Sequence, residues 1–109
     1  MVDVQPYLQK IVEQFDNPKV QTSLKGFTRT ILFRFMDTNE DWLIRTVDGR
    51  EATLVKDTHT SPDLTVTTTA EVLTGVMDRK INGMAAYMQR KIQIKGSMDD
   101  LMKLQKLLL

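Results

Sequence analysis

Apolar residues near the start recur at Leu8, Ile11, Val12 and Phe15, three or four positions apart, which predicts one face of a helix. Asp3 is placed to accept hydrogen bonds from that helix's first turn. Asn17 and Pro18 end it, and Val20 to Leu24 give one further helical turn before Gly26. The spacing then changes. The stretch FTRTILFRFM, starting at Phe27, is rich in aromatic and β-branched side chains and predicts a strand. Phe27, Ile31, Phe33 and Phe35 share one parity, which Arg29 interrupts. A turn at NED leads into a second strand, WLIRTV, and Asp48-Gly49 predicts a hairpin into a third, REATLVKD. Beyond the THTSP loop, Leu64 and Val66 alternate with Asp63, Thr65 and Thr67 in a fourth strand, which continues the meander.

The period then returns to that of a helix. Thr68 and Glu71 have the spacing of a capping box ahead of Val72, Leu73, Val76 and Met77. Ile81, Met84, Ala85 and Met88 make a second helical face. RKIQIKG is a short strand with Ile92 and Ile94 on one side. Ser97 caps a last helix that carries Asp99 and Asp100 in its positive first turn and Lys103 and Lys106 further along. The sum is a helix, a four-strand meander, two helices, a fifth strand and a final helix. This predicts one α+β domain over residues 1–109, a five-stranded, mostly antiparallel sheet with helices covering one face.

Composition narrows the chemistry more than the fold. A chain of 109 residues with 41% hydrophobic and 27% charged residues can bury a core of its own and is not a disordered segment. A net charge of +1 gives no reason to expect nucleic acid. Without cysteine there is no disulfide, thiolate metal site or thiol nucleophile. His59, the only histidine, stands in a polar loop with no partner for a metal site or a catalytic triad. Asp37, Glu40, Asp41, Asp48 and Asp57 cluster at expected turns, where carboxylates serve turn geometry. Gly75 and Gly83 lack the strand-to-helix setting of a phosphate loop. The expectation is a protein that is not an enzyme and holds no cofactor or metal. The start, MVDVQPYLQKIVEQF, is not a basic segment followed by an apolar run, and no stretch has the roughly 18 apolar residues of a membrane span. A cytoplasmic protein is expected.

Two features remain. Arg79, Lys80, Arg90, Lys91 and Lys95 form a basic group, read either as a solvated face or as a contact for anionic head groups at a membrane surface. Five of the seven methionines fall between Gly75 and Met102. Methionine fills irregular space and is over-used on adaptable binding surfaces. The last helix, with Met98, Leu101, Met102, Leu104, Leu107, Leu108 and Leu109, is more apolar than a stripe packed on one sheet requires, and could serve as a lid.

The stretch SPDLTVTTTAEVLTGVMDRKINGMAAYMQRKIQIKGSMDDLMKLQKLL, Ser61 to Leu108, resembles the second half of the sterol carrier protein type 2 domain family. The shared order is an Asp and alternating Thr/Val strand, a helix with small residues, a strand ending in Lys-Gly and a leucine-rich last helix. WLIRTVDG, Trp42 to Gly49, resembles that family's second strand and turn. Arg90 stands where many members have glycine before Lys91, and Ser97 replaces the usual aspartate after Gly96. The terminal LLL is not a peroxisomal address, which fits a free-standing prokaryotic member. The resemblance implies an apolar tunnel between sheet and helices. Phe33, Phe35 and Trp42 are then expected as its sheet wall, Val76, Met77, Met84, Ala85 and Met88 as its helical wall, and Leu101, Met102, Leu104 and Leu108 as its lid. The implied ligand is a fatty acid, acyl ester or similar lipid, carried by a monomer or weak dimer. The alternative is an accessory module, for example in isoprenoid or quinone metabolism, whose last helix packs on a partner enzyme or a second copy.

Overall fold

The computed structural model describes residues 3–56 and 61–108, and the side chains of residues 3–56 and 61–103. His59 therefore lies outside the described residues. The side chains of Leu104 and Leu108 lie outside them too. The first helix, α1 (Gln5–Glu13), buries Leu8 and Ile11 and runs through a 3-10 turn that buries Phe15. Asp3 accepts from the Gln5 amide at 3.1 Å, as its position near the helix start predicts. Asn17 breaks the helix and caps the next, α2 (Pro18–Ser23), by accepting from the Lys19 amide at 3.0 Å.

Three strands follow as an antiparallel meander: β1 (Thr30–Phe35), β2 (Glu40–Val47) and β3 (Glu51–Val55). The hairpin between β2 and β3 turns at Asp48 and Gly49, both with positive φ, the backbone that tight hairpins demand. Gly49 is also required sterically, because any Cβ there would collide with the Leu24 carbonyl. The fourth strand, β4 (Leu64–Thr68), does not continue the meander as its alternation suggested. It lies on the far side of β1 and runs parallel to it, Phe33 opposite Val66. Asp63 fixes this junction, its carboxylate accepting from the Thr30 amide at 2.9 Å while its own amide donates to the Thr30 hydroxyl at 3.1 Å. A strand with one apolar face satisfies either neighbour equally, so alternation alone does not choose between them. The fifth strand, β5 (Gln93–Lys95), pairs antiparallel with β4, giving the order β3-β2-β1-β4-β5 and a mixed sheet with one parallel pair.

The three helices of the second half are α3 (Ala70–Met77), α4 (Gly83–Met88) and α5 (Met98–Leu108). Thr69, rather than the Thr68 expected from the capping-box spacing, caps α3 by accepting from the Val72 amide at 3.1 Å. Asp37 strengthens that end by accepting from the Ala70 amide at 2.9 Å. Ile31, Phe33, Phe35, Trp42, Ile44, Leu64 and Val66 point to one side of the sheet and pack with the apolar faces of the helices into a single core. Leu32 and Leu43, opposite one another in register, lie on the other side and are also buried.

Candidate functional site

Between β4, β5 and the last three helices lies a cavity of about 230 Å³. Val66 and Thr68 of β4, with Ile92 and Ile94, form its floor, and Leu73 and Val76 of α3 form one wall. Gly83, Met84 and Tyr87 of α4 form a second wall, and Met98, Leu101 and Met102 of α5 close a third side. Among the described residues no charged side chain lines it. Thr68 supplies one hydroxyl, and that hydroxyl donates to the Lys91 carbonyl at 2.9 Å. Tyr87 supplies the other. A water molecule, which needs two to four polar partners, is poorly served on such walls.

The backbone arrangement follows from local sequence. Asn82 caps α4 by accepting from the Ala85 amide at 3.0 Å, and Ser97 caps α5 by accepting from the Asp100 amide at 3.2 Å. Gly75 leaves room on α3 for the Ile81 side chain, which a Cβ would strike. Helices α3 and α4 end alike, each turning through an arginine with left-handed backbone, Arg79 (φ +62°) and Arg90 (φ +62°). In each case the next amide reaches back five residues, from Lys80 to the Gly75 carbonyl and from Lys91 to the Ala86 carbonyl.

The expected wall residues divide. Val76, Met84, Leu101 and Met102 line the cavity. Phe33 and Phe35 do not; they are fully buried beneath the helices, their rings stacked with centroids 6.4 Å apart. Trp42 stands one strand further away still, donating its indole N–H to Glu40 at 3.1 Å, with the Lys56 ammonium 5.6 Å from its ring centre. The crossover that puts β4 and β5 beyond β1 moves the floor away from these aromatics. Met77 packs against the core at the end of α3 but does not line the cavity, and Ala85 is exposed. Met88 is likewise outside the cavity, at 76% exposure. Helix α4 buries Ala86 instead of the Met84, Ala85 and Met88 stripe. At six residues it is shorter than two turns, too short for periodicity to fix its rotation.

Val66, Leu73, Ile92 and Ile94 were legible as apolar positions of core elements, whereas Thr68 read as a helix cap, and only the packing of α5 over β5 leaves space above them. The methionines occupy an unexpected place. Met84 (46% exposed), Met98 (71%) and Met102 (58%) rim the opening rather than fill a closed interior. Helix α5 is tied back to the sheet by a buried acid: Asp100, 6% exposed, receives the Arg29 Nε–H at 2.9 Å. That contact pushes the Arg29 guanidinium pKa up further, first through the hydrogen bond and then through the charge of Asp100. The basic residues Arg79, Lys80, Arg90, Lys91 and Lys95 are all exposed. Lys95 alternates with Ile94 and so lies on the opposite face of the sheet from the cavity. Among the described residues no group of three or more His, Cys, Asp or Glu is placed to hold a metal ion.

The profile of the SCP-2 sterol transfer family matches residues 8–109. The chain belongs to this family. No curated protein matches the sequence. The solution structure of palmitated SCP2L2 from Aedes aegypti is similar with a TM-score of 0.76 at 18% identity, over 99% of this chain and 95% of that one. The UbiJ-SCP2 ubiquinone synthesis protein is similar with a TM-score of 0.67 at 15% identity, over 96% of this chain and 89% of that one. A double mutant of the sec-alkylsulfatase PisA1 gives 0.75 at 20% identity over 94% of this chain, but the chain spans only 16% of the sulfatase. At these identities the likeness establishes a shared SCP2-type α+β fold.

Proposed function

We propose that this chain is a non-catalytic carrier that holds the apolar part of a fatty acid, acyl ester or similar lipid in the cavity between β4, β5 and the last three helices. The observation that carries this reading is the cavity itself, about 230 Å³ bounded by apolar side chains with, among the described residues, only two hydroxyls. Open at its rim, the cavity leaves apolar wall facing water at a cost of roughly 25 cal/mol per Å². An acyl chain removes the cost. Membership of a sterol transfer family and the likeness to a palmitated SCP2L2 support the same reading.

A second reading is supported by the likeness to UbiJ-SCP2: an accessory module that packs α5 on a partner enzyme or a second copy. One preparation separates the two. Protein purified without added lipid is extracted with organic solvent and analysed by mass spectrometry. The carrier yields a fatty acid or ester near one equivalent, and its melting temperature falls when that lipid is stripped. Protein that carries no lipid, melts independently of added fatty acid and changes mass with concentration is the accessory module.

A further inference from the structure

The exposed apolar side chains around the cavity mouth and the cations beside them point to a partner. Met84, Tyr87 and Met88 of α4 and Met98 and Met102 of α5 are each more than two-fifths exposed. Four of them border the cavity, and Met88 lies one helical turn beyond Met84, so the five form one continuous surface. Side chains of this size rarely gather on a surface that stays in water. Helix α4 is bracketed by cations, Arg79 and Lys80 before it and Arg90 and Lys91 after it, all exposed. None of the four makes an ion pair among the described residues. Of the nearest acids along the chain, Asp78 accepts from the Tyr7 hydroxyl at 2.8 Å and Asp100 from Arg29, which leaves Asp99 on α5 and Glu71 of α3, the latter lining a surface cleft with Arg90 and Lys91.

We infer that α4 is a membrane-docking element that seats the cavity mouth on a bilayer containing anionic lipid. Flexible apolar side chains with a tyrosine among them suit the boundary between head groups and acyl chains, and flanking arginines and lysines suit the phosphates above it. The charge decides between a bilayer and a second copy of this chain. A symmetric contact through this surface would bring two sets of four like charges to one interface, whereas an anionic membrane neutralises them. Helix α1 offers less apolar surface, since Leu8 and Ile11 are buried, Tyr7 and Val12 are half-buried, and its outer face carries Gln5, Gln9, Lys10 and Glu13. Docking through α4 would let an acyl chain pass between bilayer and cavity without crossing water. The inference rests on the carrier reading and names its partner.

Met88→Trp supplies the test, because Met88 is exposed and does not line the cavity. Its emission, taken as the difference from the parent protein with Trp42 alone, should shift to the blue with vesicles of phosphatidylcholine and phosphatidylserine. Brominated phosphatidylcholine should quench it, and phosphatidylcholine vesicles alone should have little effect. Arg90→Glu with Lys91→Glu should weaken vesicle binding roughly tenfold or more, as should added salt. Met88→Ser should weaken it too, while extractable lipid stays at the parental level. Emission that ignores vesicles, or binding indifferent to the charge reversal, overturns the docking element. A blue shift that grows with protein concentration in the absence of vesicles also overturns it, and assigns the surface to a second copy. Protein that carries extractable lipid but fails these tests loses the docking element alone; protein that docks but carries no lipid loses the carrier reading.

Discussion

Two residues carry the clearest single-site consequences. Arg90 sits just past the end of α4 with φ +62°, a backbone that costs a residue with a Cβ about 1–2 kcal/mol and glycine almost nothing. The resemblance to the family implies glycine at this place in many members, and here arginine adopts the left-handed backbone. Arg90→Gly should therefore stabilise the protein by about 0.5–1 kcal/mol, the gain reduced by the freer unfolded chain. A urea midpoint that stays put or falls would show that the Arg90 side chain contributes more than the strain costs. Tyr7 ties α1 to the end of α3 through its hydrogen bond to Asp78 at 2.8 Å. That bond, with lesser contributions from burial and the carboxylate charge, pushes the phenol pKa up from its ordinary value near 10. The phenol is favoured in the folded state, so its stabilising effect is complete below pH about 10 and is lost as pH climbs through the raised folded value. Tyr7→Phe should be less stable than the parent at pH 8, and the gap should narrow through the alkaline range. A gap independent of pH would mean that the loss comes from packing.

At the scale of elements, α5 closes one side of the cavity, so its attachment is where control of access can be tested. Its first turn presents Asp100 to Arg29, and the centre of the Phe27 ring lies 5.8 Å from the Arg29 guanidinium and 5.7 Å from the Lys103 ammonium. Leu101 packs on the core while Met98 and Met102 stay at the rim. The Arg29 side chain is 39% exposed, so water screens part of the pair, and its loss should cost about 1 kcal/mol. Asp100→Asn keeps the shape and removes the charge. It should leave the sheet folded and speed release of a fluorescent fatty acid roughly fivefold, the rate equivalent of that energy. Release at the parental rate would show that α5 does not gate the cavity.

For the molecule as a whole, the separation of Met84 from Met88 gives a test of where the ligand sits. Met84 borders the cavity and Met88 does not. Met84→Trp should therefore occupy the space, reduce the rise in melting temperature on adding fatty acid, and keep or raise the melting temperature of the lipid-free protein. Met88→Trp should leave the fatty-acid effect intact. Equal losses with both substitutions would place the ligand outside the cavity, and a melting temperature lowered by Met84→Trp would indicate overpacking, which costs about 1–3 kcal/mol. Because methionine re-packs cheaply, acyl chains of different length should displace one another at this single site.

The sequence by itself determined those elements whose causes are local. The spacing of Leu8, Ile11 and Phe15 makes α1 bury that face, Asp48-Gly49 makes the hairpin, and Ser97 with its following aspartates starts α5. The parity of Ile31, Phe33 and Phe35 assigns one side of β1 to the core, and the ordered set of segments from Ser61 to Leu108 carries the family. Tertiary structure decided what local causes leave open. Backbone edges of strands are chemically alike, so Leu64 and Val66 could not announce that β4 would run parallel to β1, and the cavity floor moved with that choice. Six residues are too few for a periodic stripe, so the rotation of α4, which turns Ala86 inward and Met88 outward, was set by the core it meets. Asp100 reads as a solvated first-turn acid until its partner, Arg29, arrives from 71 positions away to make its burial affordable. Pairing between distant segments chose the neighbours, and the neighbours placed the site.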